Sequence, residues 1–88
     1  MGLTRPFSSL LEDMAPGMDR AVLTDYLTEL DQHLLATEHR ILRQRERIEI
    51  SERRGYPSTA AKDLLRAFEQ TRDRYLSERA RLRALLDN

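Results

Sequence analysis

The chain has 88 residues, 34% of them charged, with 15 basic and 15 acidic side chains and no cysteine. That length allows one domain with a limited core, and the missing cysteines exclude disulfides and thiolate metal sites. A pI near 6.7 and five aromatic residues set the chain apart from strongly basic, aromatic-rich nucleic-acid binders.

The charges are unevenly placed. Residues 1–38 hold two bases and seven acids, whereas residues 39–88 hold thirteen bases and eight acids. If the chain folds back on itself, the acidic start lies beside the basic end, so the asymmetry reads as internal complementarity. Fourteen of the fifteen bases are arginine. Alternating Val/Ile/Thr/Tyr runs and Asn-Gly turns are absent, so the fold class expected is all-α.

Residues 1–18, MGLTRPFSSLLEDMAPGM, form a separate N-terminal segment. Ser8 or Ser9 offers a cap for one short turn carrying Leu10, Leu11 and Met14, and Ala15-Pro16-Gly17 ends it. Met14 and Met18 read as packing at a bundle end. PFSSLL is too short and polar for a secretory leader, and no apolar run approaches a membrane span. The expected location is therefore a reducing cytoplasm, without membrane attachment.

Residues 19–88 read as a helical hairpin: a helix over about 19–53, a turn over 54–58, and a helix over about 59–86. Asp19 is the expected N-cap of the first. Leu23, Leu27, Leu30, Leu34, Ile41 and Ile48 recur at three-, four- or seven-residue spacing, which is a seam on one helical face. Thr37, Gln44 and Ser51 share that seam, so its second half is less apolar. Gly55-Tyr56-Pro57 stops the helix: Gly55 can take the left-handed conformation, and Pro57 restricts Tyr56 to extended geometry. Ser58 or Thr59 then caps the second helix, whose stripe is Ala61, Leu64, Leu65, Phe68, Tyr75, Leu82, Leu85 and Leu86.

So short a connection makes the helices antiparallel neighbours. Arg72 and Arg79 interrupt the second stripe, and level with them lie Glu38 and Asp31. The register thus predicts ion pairs Glu38–Arg72 and Asp31–Arg79. The stripes are also wider than one partner helix needs. Leu35 and Leu42 widen the first and Leu65 and Leu76 the second, which predicts a homodimer closing into an antiparallel four-helix bundle.

No catalytic grouping is legible. His33 and His39 stand six residues apart on different faces, so they do not form a zinc pair. Ser-His-Asp groupings, glycine-rich phosphate loops and Glu-x-x-His metal motifs are absent, so neither enzyme activity nor a cofactor is expected. Tyr26 and Tyr56 are expected to cover the bundle ends and Tyr75 to join the seam. The one patterned surface is Arg40, Arg43, Arg47 and Arg54, projecting from one side of the first helix. The plainest account is a solvated outer face; the alternative is a basic stripe for phosphate or an acidic partner. A dimer would carry two such stripes, an architectural analogy with Rop, the small hairpin dimer that binds paired RNA loops.

The run of Arg40–Arg47, the break at Gly55-Tyr56 and the Leu-Leu-x-x-Phe-Glu of Leu64–Glu69 together resemble a group of short proteobacterial two-helix proteins of unknown function. The likeness covers about residues 30–86. It implies a hairpin fold and a bacterial source, and it brings no activity, ligand or site residues. The function expected is a non-enzymatic homodimeric interaction or regulatory module, with itself and another protein as partners. The alternative is RNA or DNA binding through the arginine stripe. A third possibility, membrane contact through residues 7–14, is disfavoured by their acidity and shortness.

Overall fold

The computed structural model describes residues 19–87. Two helices account for nearly all of them: α1, Arg20–Arg53, and α2, Thr59–Asp87. They pack side by side as an antiparallel hairpin; the expectations for residues 1–18 lie outside the described residues.

The ends of α1 follow from local chemistry. The Asp19 carboxylate accepts the Ala21 N–H at 2.9 Å, satisfying one of the amides that a helix start leaves open. At the other end Gly55 has φ +73°, Tyr56 N–H reaches the Ser51 carbonyl at 2.9 Å, and Gly55 N–H reaches Glu52 at 3.1 Å. This pair of reversed bonds is the Schellman arrangement, and it needs a residue tolerant of positive φ between them. Helix α2 starts where the Ser58 carbonyl accepts the Lys62 N–H at 2.9 Å. The Ser58 hydroxyl turns back to donate to Glu52 at 3.3 Å, so it ties the two helices together rather than capping an amide of α2.

The seam of α1 is buried as its spacing demands. Leu30 is fully buried, and Leu23, Leu34, Thr37, Ile41, Gln44 and Ile48 are nearly so. Leu30, Leu23 and Leu82 form a cluster against which Tyr26, Leu27, Tyr75 and Leu86 pack. This apolar half lies at the open end of the hairpin; the half nearer the turn has Thr37 and Gln44 in the interior. Thr37 Oγ1 satisfies itself within α1, donating to the His33 carbonyl at 2.9 Å. Gln44 Nε2 crosses to the Ala61 carbonyl at 2.9 Å. Across the open end, Arg20 Nη1 donates to the Leu86 carbonyl at 2.6 Å, placing a cation on carbonyls left open at the end of α2.

The stripe of α2 differs from expectation. Leu64 and Leu85, both assigned to it, are 44% exposed. The inward positions run Ala61, Leu65, Phe68, Arg72, Tyr75, Arg79, Leu82 and Leu86, of which Leu82 is fully buried and the others half-buried. Two arginines occupy inward positions, which disguises the period in the sequence and pulls the neighbouring leucines into the apparent stripe. Tyr56, expected to cover the turn end of the bundle, is 62% exposed, because the extended residue before Pro57 carries its ring away from the hairpin.

Candidate functional site

Two sides of the hairpin carry the residues singled out by sequence. On one side lie the inter-helix ion pairs: Asp31–Arg79 at 3.5 Å, Arg45–Glu69 at 3.4 Å and Glu52–Lys62 at 2.9 Å. Asp31, Glu38, Arg45 and Glu52 recur every seven residues along α1, immediately beside the seam. Of the two predicted pairs, Asp31–Arg79 forms. Glu38–Arg72 does not: the Arg72 guanidinium lies 3.1 Å from Asp73. Both members of that pair belong to α2, so no gap between helices has to be spanned. Each arginine keeps a half-buried side chain.

The sequence reading missed Arg45–Glu69 and Glu52–Lys62. The signal was present as charges at seven-residue spacing flanking both seams, the positions that face each other in antiparallel helical pairs. The acidity of Glu52 is perturbed by its neighbours. Its hydrogen bond to Lys62, then the Lys62 charge itself, hold the carboxyl below its ordinary value.

The predicted self-association residues lie on this same side. Leu35 and Leu42 are 57% and 56% exposed, one heptad apart in the middle of α1. Leu76 is half-buried on the flank of α2, and Leu65 is half-buried at an inward position.

The arginine stripe occupies the opposite side. Arg40, Arg43, Arg47 and Arg54 are all exposed, and none of them joins an ion pair among the described residues. Nearby cations differ in this respect: Arg53 pairs with Glu49, and Arg66 with Asp63. Ile50 and Leu64, 47% and 44% exposed, supply apolar surface in the same half of the hairpin. His33 stacks on Tyr75, with ring centroids 5.9 Å apart, as an edge residue of the seam. His39 stands exposed.

Among the described residues, no three His, Cys, Asp or Glu side chains gather into a metal-binding group. No described helix is long and apolar enough to cross a membrane. Comparison of the chain with family models, with curated proteins and with solved structures finds no match.

Proposed function

We propose that this chain is a non-enzymatic protein-interaction module that works as a homodimer, two hairpins closing into an antiparallel four-helix bundle. The observation that carries this reading is the half-exposed pair Leu35 and Leu42, flanked by Leu76, in the middle of an otherwise charged face. Completing the burial of Leu35 and Leu42 on both copies is worth about 3–6 kcal/mol, taking half of the usual ~1.5–3 kcal/mol per leucine side chain. A regulatory role fits a surface built to hold a partner and carrying no grouped reactive side chains. Light scattering on the eluting protein tests the reading. The expected mass is twice the single-chain 10.3 kDa, and L35E/L42E is expected to elute as a helical monomer. A wild-type monomer at micromolar concentration overturns it.

A second reading is favoured by the arginine stripe, whose four members lack ion-pair partners among the described residues. It is nucleic-acid binding by the dimer. If the four arginines of one chain each neutralise a phosphate of a duplex, log K should fall with log salt at a slope of roughly −3 to −4. The R43A/R47A variant should reduce that slope by about two. Binding that ignores salt, or the absence of binding to RNA and DNA alike, removes this reading.

A further inference from the structure

The exposed leucines and the ion pairs share one side of the hairpin, and together they constrain how a second copy can sit there. The Arg45–Glu69 and Glu52–Lys62 contacts, 3.4 and 2.9 Å, establish which residues of α1 and α2 lie level along this side. Extended by one heptad, the same register sets Glu38 level with Leu76, and towards the open end Asp31 contacts Arg79 at 3.5 Å, one turn from Arg83. Leu76 is thus at the height of the gap between Leu35 and Leu42.

Two arrangements pair this face with its own copy while keeping every neighbouring helix antiparallel. In one, the two-fold axis runs along the bundle. Each α1 then lies on the partner's α2, and both turns are at the same end. In the other, the axis crosses the helices; α1 lies on the partner's α1, and the turns are at opposite ends.

Charge separates the two. With the axis along the bundle, the register inside the hairpin repeats across the interface. Arg45 meets the partner's Glu69 and Glu52 the partner's Lys62. The partner's Leu76 enters between Leu35 and Leu42. Each of these charges, already paired within a chain, gains a second opposite charge, and networks of this kind outlast isolated surface pairs. With the axis across the helices and centred on the leucine patch, Asp31 meets the partner's Arg45, but Glu38 meets its own copy. Two carboxylates then face each other beside the leucines, where loss of water makes like-charge contact costly.

Resting on the homodimer reading above, we infer that the second copy docks with its turn at the same end, α1 of each chain against α2 of the other. One consequence is that both arginine stripes lie in the turn-proximal half of a single dimer, on its outer faces.

The chain has no cysteine, so single nitroxide labels can be placed at Y56C in the turn and, separately, at A84C near the open end of the full-length protein. Both positions are exposed. In the same-end dimer each label pair is separated by about 20 Å, from helix spacings of ~8–10 Å plus the label arms. In the opposite-end dimer, whose axis crosses at the height of Glu38, the Y56C pair is separated by about 50 Å, whereas the A84C pair, level with Leu30 and nearer the axis, is separated by about 30 Å. Short distances at both sites are the expected result. A long distance at Y56C overturns the inference and leaves the dimer standing. Absence of dipolar coupling, together with a mass of 10.3 kDa by light scattering, overturns the dimer itself.

Discussion

Gln44 gives the sharpest test of how this hairpin balances stability against polarity. It is 3% exposed in the middle of the seam. Its Nε2 donates to the Ala61 carbonyl at 2.9 Å, but its buried Oε1 has no partner. Methionine has nearly the same length and volume. Q44M therefore removes one hydrogen bond, worth about 0.5–1.5 kcal/mol net, and one unsatisfied buried acceptor, which costs about 1–3 kcal/mol. The Ala61 carbonyl sits within α2, where the helix's own amides remain to serve it. The apolar side chain also gains transfer energy that the amide did not have. The balance is a stabilisation of about 1 kcal/mol, a rise in Tm of about 4–8 °C for a unit of this size. Thermal unfolding followed by circular dichroism, at one protein concentration for both proteins, measures it. A fall in Tm would refute the reasoning, since it would mean that the single bond to Ala61 outweighs the orphaned acceptor.

Three further outcomes follow from named contacts. L30A empties a fully buried site in the leucine cluster, and urea unfolding should show a loss of about 2–5 kcal/mol, against near-neutrality for L85A on the exposed rim. G55A meets no neighbouring atom, yet must adopt φ +73°, so the same titration should show a loss of about 1–2 kcal/mol from backbone strain alone. Glu52 is more acidic in the folded chain than when unfolded because Lys62 bonds to it. Its contribution is therefore complete above the ordinary glutamate range and is lost as pH falls through the lowered folded value. K62M should flatten the wild-type decline in Tm below about pH 4.5, the unperturbed value.

The elements of this fold were legible from sequence because they depend on local chemistry. Asp19 caps α1 because a short carboxylate can reach an amide two residues on. Gly55 ends it because its lack of a Cβ permits the one positive φ among the described residues. The seam from Leu23 to Ile48 could be counted because helical geometry converts spacing into a face. Asp31–Arg79 could be anticipated because a five-residue turn leaves little freedom of register.

Contacts between the helices were decided only when the two faces met. Arg72 took Asp73 rather than Glu38, a choice between two carboxylates that spacing does not rank. Leu64 and Leu85 stayed outside because arginines occupy inward positions of α2, a choice that composition alone makes look wrong. The Arg45–Glu69 and Glu52–Lys62 pairs needed the register of both helices at once. Residue spacing along one helix determines which side chains share a face. Which of them touch a neighbour depends on the rotation and stagger of two helices together, and packing, not periodicity, sets those.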